Sequence, residues 1–278
     1  MTTLRKAGWQ VFVYAAALGL AAQAVVPLVW MLSTSLKPPR EVFAFPPTLI
    51  PAAPTLMNFG RLFTSTAFLT YFWNSVVVSG LTVLLTMAVG AVGAYSLTRF
   101  RFAGRETIAK LILCTYMFAP IMIVIPIYIV ARRLGIVNTH LALVLSYSSF
   151  CLPFSLWLLR AFFQSIPLDL EEAALVDGAG RPRALLFVVA PLALPGLIAT
   201  SIFTFTLAWN DYIFTRILIS SDELKTLPVG VQDLFNAALV DWGLVMAAGV
   251  LITIPALAFF MAVQRHLVAG WGSGGLKG

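Results

Sequence analysis

Charge is scarce in this sequence: Asp, Glu, Lys and Arg make up 10% of its 278 residues, against roughly 25% in ordinary soluble domains. Hydrophobic residues supply 60%, which excludes a soluble globular domain and indicates an integral membrane protein. No stretch is enriched in Ser, Gln or Glu and no charged tail stands apart, so residues 1–278 read as one membrane domain with no soluble module attached. Cysteine is nearly absent too. Cys114 and Cys151 sit inside apolar runs and read as buried small side chains rather than a disulfide. The two histidines, His140 and His266, fall in loops on opposite sides of the expected membrane, which excludes a metal site built by one chain. There is no Gly-rich phosphate loop. The only lysine followed by Ser or Thr is Lys225, and the "ISSDEL" before it has no glycine, so ATP hydrolysis by this chain is not expected. No catalytic residue, metal ligand or resident cofactor has a candidate, and a membrane enzyme is disfavoured.

Long apolar runs, by contrast, are plentiful. A helix needs about 20 apolar residues to cross a hydrocarbon core of about 30 Å. Six stretches qualify, approximately 11–32, 71–97, 111–130, 141–159, 185–209 and 243–263. The first also resembles a cleavable signal peptide, because Arg5 and Lys6 precede it and "AAQA" at 21–24 has the small-residue pattern of a cleavage site. Its continuation through "VVPLVWML" favours a retained span. No charged residue falls within any span core, which counts against an ion-coupled transporter, although carbonyls and hydroxyls can bind sodium. Prolines interrupt every span but the second and imply kinked helices in a bundle. The second carries Gly80, Gly90 and Gly93, small enough for close helix approach.

The formal net charge of +7 would suggest nucleic acid in a soluble protein. Here the basic residues flank apolar runs and read as topological signals, with no nucleic-acid partner. Of the 18 Lys and Arg residues, 11 fall on one set of alternate loops, including the dense "TRFRFAGRETIAK". The positive-inside rule therefore puts both termini in the cytoplasm.

One cytoplasmic loop spends charge freely. "SIPLDLEEAALVDGAG" offers a proline for a first helical turn, acids near the start and glycines to stop it, which predicts a short helix over 167–178. Asp169, Glu172 and Val176 share a face by three-to-four spacing, while Ala173 and Ala174 present almost no bulk. Small residues beside a fixed carboxylate suit a partner's groove. A connector lying on lipid headgroups would instead show a basic face opposite large apolar residues, and paired glutamates facing an anionic surface oppose that reading.

"EAALVDGAGRPRALLFVVAP", Glu172 to Pro191, resembles the EAA signature of ABC-importer permeases: Glu-Ala-Ala, three residues, Gly, nine residues, an aliphatic, one residue, an aliphatic and Pro. Val188 stands for the usual isoleucine, and Ala190 departs from the usual leucine, weakening one packing contact without touching the docking end. "SLKPPREVFAFPPTLIP", "AWNDYIF…LKTLPVGV" and the C-terminal "QRHLVAGWGSGGLKG" resemble the carbohydrate-uptake branch, in particular the second membrane subunit of the maltose importer. The resemblance covers essentially the whole chain.

The resemblance implies an all-α, type I ABC importer permease fold with six transmembrane helices in the bacterial or archaeal cytoplasmic membrane. It implies a second homologous permease subunit, two ATPase subunits carrying ATP and Mg, and an extracytoplasmic solute-binding protein, with sugar as cargo and lipid around the bundle. Carried over by position, the ATPase-coupling residues are Glu171, Glu172, Ala173, Ala174, Asp177, Gly178 and Pro191, with Glu172 contacting the ATPase cleft and Gly178 making the turn. The tail 264–278 reads on its own as flexible; the resemblance sends it toward the ATPase interface, with Gly274, Gly275 and Lys277 as contacts. Tyr147, Ser148, Trp209, Asn210 and Asp211 are candidates for the substrate pathway, against helix packing for the first two and an interfacial aromatic belt for the others. A phosphorylated glycerol or a polyol fits this branch as well as a sugar. The competing expectations are a secondary transporter or channel working without an ATPase, and a membrane scaffold with no pathway.

Overall fold

The computed structural model describes residues 2–237 and 239–272, with side chains over 9–237 and 239–261. In chain order the helices are α1 (Thr2–Ser35), α2 (Pro39–Val42), α3 (Met57–Ser65), α4 (Phe68–Arg99), α5 (Arg105–Thr115), α6 (Pro120–Arg133), α7 (His140–Gln164), α8 (Leu168–Val176) and α9 (Arg181–Ala184). A π-helical turn, Leu185–Val189, leads into α10 (Ala190–Leu192), α11 (Leu194–Asn210), α12 (Ile213–Leu218), α13 (Leu227–Phe235) and α14 (Trp242–Gly272). No strand occurs among the described residues.

Among the described residues, four helices are long and apolar enough to cross a membrane: Trp9–Ser35 of α1, α4, α7 and Trp242–Met261 of α14. Two of the proline-interrupted spans are sharply bent. The run at 111–130 is divided between α5 and α6, which meet at 99°, and the run at 185–209 is divided at Ala193, where the segment Arg181–Leu192 meets α11 at 83°. Proline chemistry accounts for both. Ala119 is extended before Pro120 at the start of α6, as the residue before a proline prefers. Pro191 cannot donate a hydrogen bond and its ring opposes the carbonyl four residues back. The turn before it widens, with Ala190 N–H bonded to Leu185 O, and Pro195 lies in the first turn of α11. If each bent pair is one span, the spans number six. At the C-terminus, α14 stays helical to Gly272, so the expected tail from 264 is shorter than its composition implied. Gly274, Gly275 and Lys277 lie outside the described residues.

The chain divides into two compact units. The first comprises residues 1–68 and 231–254. Its α1 is apolar all round, with its membrane-length window unburied within the chain. The helix end is closed by Asn58, whose side-chain amide donates to Ser35 O at 2.8 Å and Lys37 O at 2.9 Å. Gly243 passes so close that a Cβ would lie 2.8 Å from the Asn58 amide. The second unit comprises residues 69–230 and 255 onward. In it α4 and α7 are shared by two apolar cores. One gathers Val78, Val124, Leu143, Tyr147, Phe214 and Leu218. The other gathers Ala94, Tyr95, Leu159, Phe163, Leu185 and Val189. Close approach uses only some of the expected glycines: a Cβ on Gly93 would meet Leu156 at 2.8 Å and one on Gly90 would meet Leu159 at 3.4 Å, whereas Gly80 faces open space. Ser75, Ser79, Thr82 and Thr86 add a buried stripe of small polar residues along α4, which lets neighbouring backbones approach.

Candidate functional site at the charged connector

The charged loop folds as α8, within a residue or two of its expected limits. Asp169 and Glu171 occupy its first turn, where carboxylates complement the partial positive charge of a helix N-terminus. Its end is closed by two crossed bonds, Ala179 N–H to Ala174 O at 3.0 Å and Gly178 N–H to Leu175 O at 3.1 Å. Gly178 takes φ +87° to make them possible, the left-handed closure that glycine adopts without steric cost.

The two adjacent glutamates face different surroundings. Glu171 is 4% exposed. Its carboxylate pairs with the Arg99 guanidinium at 2.7 Å and accepts a hydrogen bond from Tyr95 Oη. Arg99 also donates to Ile166 O at 3.2 Å, where the chain leaves α7. Glu172 and Ala173 are exposed, Ala174 is half-buried, and Asp177 and Gly178 are exposed. Val176 is 87% exposed. The uncovered surface thus combines carboxylates, methyl groups and the exposed aliphatic side chains Leu168, Leu170 and Val176, a mixture suited to a protein groove rather than to water alone. Beyond it, Arg181 lies over the Phe100 ring at 4.6 Å and Pro191 is exposed on α10. Tyr95 and Arg99 were not singled out from the sequence. Their spacing of one helical turn at the charged end of a span was the available signal.

Of the other candidate residues, Tyr147 and Asp211 are brought together, in the same unit. Tyr147 Oη donates to Asp211 Oδ2 at 2.8 Å and lies 2.8 Å from Thr215 Oγ1, which lies 2.9 Å from Thr226 Oγ1. Asp211 Oδ2 also accepts from the N–H groups of Phe214 at 3.0 Å and Thr215 at 3.3 Å, so its charge closes the start of α12. Burial raises the Asp211 pKa against those bonds. Trp209 is 1% exposed, stacked on Phe205 at 5.4 Å and edge-on to Phe72 at 5.8 Å. Ser148 is 2% exposed. Asn210 is exposed and donates to Thr206 O at 2.8 Å. His140 Nε2 lies 3.2 Å from Leu224 O. Among the described residues no group of three His, Cys, Asp or Glu side chains is arranged to hold a metal.

Residues 87–272 match the model of the binding-protein-dependent transport system inner membrane component family. The chain belongs to this family. It is therefore a transport component of the inner membrane, in a family whose members are not catalytic, and its several apolar helices agree with a membrane location. Among similar proteins is the inner membrane ABC transporter permease protein YcjP of Escherichia coli, 37% identical over 91% of each chain. The trehalose transport system permease protein SugB of Mycobacterium tuberculosis is 35% identical over 92% of this chain and 93% of that one. The trehalose/maltose transport system permease protein MalG of Thermococcus litoralis is 34% identical over 93% and 94%. A solved bacterial ABC transporter involved in import of the acidic polysaccharide alginate superposes with a TM-score of 0.83, at 25% identity, over 94% of this chain and 97% of that one.

Proposed function

We propose that this family member is the permease subunit of an ATP-driven importer of a sugar or sugar-like solute, lining the pathway with a second, related permease. Two ATPase subunits bind ATP and Mg and grip α8, and an extracytoplasmic solute-binding protein delivers the cargo. The observation that carries this reading is the uncovered face of α8, where Glu172, Ala173 and Val176 stand free while Glu171 is tied inward. Free acids and methyl groups on a rigidly mounted short helix are what a partner needs to grip. A charge-assisted contact to Glu172 at such an interface contributes roughly 1.5–3 kcal/mol. Relatives named for trehalose and maltose transport support a sugar as cargo.

In this arrangement both termini and α8 lie in the cytoplasm, as the basic loops favour. The residues after Gly272 approach the ATPases, with Lys277 as their charged contact. Asn210, exposed at the end of α11 beside Asp211, presents its carboxamide oxygen to the solute, while the buried Tyr147–Asp211 pair fixes the start of α12 beyond it.

The test is reconstitution in vesicles with both permeases, the ATPase and the binding protein encoded alongside, followed by uptake of labelled trehalose and maltose. ATP-dependent uptake that is lost with Glu172→Lys supports the proposal. Uptake by this chain without an ATPase overturns it in favour of a secondary transporter or channel.

A further inference from the structure

The mounting of α8 is as informative as its free face. The covalent route from α8 toward α11 is mechanically poor. It passes the left-handed Gly178, the widened turn Leu185–Val189 and the 83° bend at Ala193. Each changes the direction of the chain, so a push along it is deflected before it reaches α11. A second route is short and stiff. Tyr95 and Arg99 lie one turn apart on α4 and both end on the Glu171 carboxylate. The Arg99 and Glu171 side chains are 5% and 6% exposed, and the Arg99 fork also holds Ile166 O at the end of α7. Ala94, Phe163 and Leu185 pack in the core beneath α8. A water-excluded ion pair whose guanidinium also holds a backbone carbonyl resists displacement better than an exposed pair. On the other side of the junction, α4 is a 32-residue helix with no proline.

We infer that Arg99, Glu171 and Tyr95 are positioning residues that bolt α8 to α4, so that ATPase closure is delivered to α4 through this buried ion pair rather than along the chain. This rests on the reading of α8 as the ATPase dock. Glu172 is gripped from outside, while its neighbour Glu171 passes the displacement inward.

The experiment is pulsed EPR on the complex of both permeases with the ATPase in nanodiscs. Cys114 and Cys151 are replaced, and spin labels are placed at the exposed Val92 of α4 and Leu170 of α8, which lies outside the docking residues. The parent is expected to give one narrow distance that does not change between the nucleotide-free state and the ATP–vanadate state. Arg99→Met is expected to lose that narrow peak and to show a shift on adding ATP–vanadate, with the ATPase still copurifying. Arg99→Lys, which keeps the charge, is expected to retain most of the peak. Glu171→Gln, which preserves shape and the Tyr95 bond, gives the same reading as Arg99→Met should that variant fail to fold. A parental, nucleotide-independent distance in Arg99→Met or Glu171→Gln, with ATPase bound, overturns this inference alone. Absence of the ATPase from the purified parent complex overturns the docking reading and this inference with it.

Discussion

At the scale of single residues, removing one partner of the Arg99–Glu171 pair strands the other as an uncompensated buried charge. Such losses cost about 3–5 kcal/mol, so Arg99→Ala is expected to lower the melting temperature in detergent well beyond any surface substitution. Glycine positions divide in the same local way. A Cβ on Gly196 would lie 2.4 Å from the Phe162 ring, and overpacking of that kind costs about 1–3 kcal/mol. Gly80 faces open space within α4, so Gly80→Ala is expected to stabilise by up to ~1 kcal/mol through helix propensity. Thermal melts of the two variants side by side check the contrast. Titration adds a third local effect. Glu41 Oε1 accepts from Ala52 N–H at 2.9 Å and from Thr48 Oγ1 at 3.0 Å. The Ala52 bond, ahead of the others, lowers its pKa below the ordinary 4.5. A lowered folded-state pKa contributes stability above the unfolded value that is lost as pH falls through the folded one. Hydrogen-exchange protection at Ala52, corrected for intrinsic rate, is expected to drop below pH 4.5, and Glu41→Gln to remove that step.

At the scale of elements, α8 depends on how its end is closed. Gly178 at φ +87° has open space around it, so the obstacle to a side chain is backbone conformation alone. Gly178→Ala is expected to destabilise that closure by about 1–2 kcal/mol. Gly178→Asn should recover much of the loss, because asparagine visits the left-handed region more readily. Faster amide exchange at Ala179 in the alanine variant, restored in the asparagine variant, is the readout. The existence of this helix, its limits and its stop were legible from Pro167, the acids and Gly178. Which glutamate turns inward was not. The residues of α8 carry no strong one-sided apolar stripe, so the periodicity that usually separates buried from free positions is silent about Glu171 and Glu172. At Ala119–Pro120 and Ala193 the prolines announced a kink but not its angle. Proline marks where a helix loses a bond, but the angle taken there depends on what the two halves pack against.

At the scale of the whole molecule, the family match and the exposed face of α8 describe a subunit rather than a self-sufficient transporter. Glu172→Lys is expected to leave the protein in the membrane with an unchanged melting temperature, because Glu172 is exposed and unburdened by packing. It is expected to abolish ATP-driven uptake and to weaken ATPase recovery on affinity purification. Normal ATP-driven uptake by that variant refutes the docking role.

Composition and pattern sufficed for the membrane class, the apolar runs, the charged connector and the family, since each follows from local properties: transfer free energy along a run of residues, the distribution of Lys and Arg, and a motif whose spacing is read directly. Folding was needed to bring Arg99 to Glu171 across 72 positions of chain, and to bury Trp209 and Tyr147 at the end of α11. Whether a polar group is paired or free depends on neighbours distant in sequence, and those neighbours are set by how helices pack, which no local periodicity encodes.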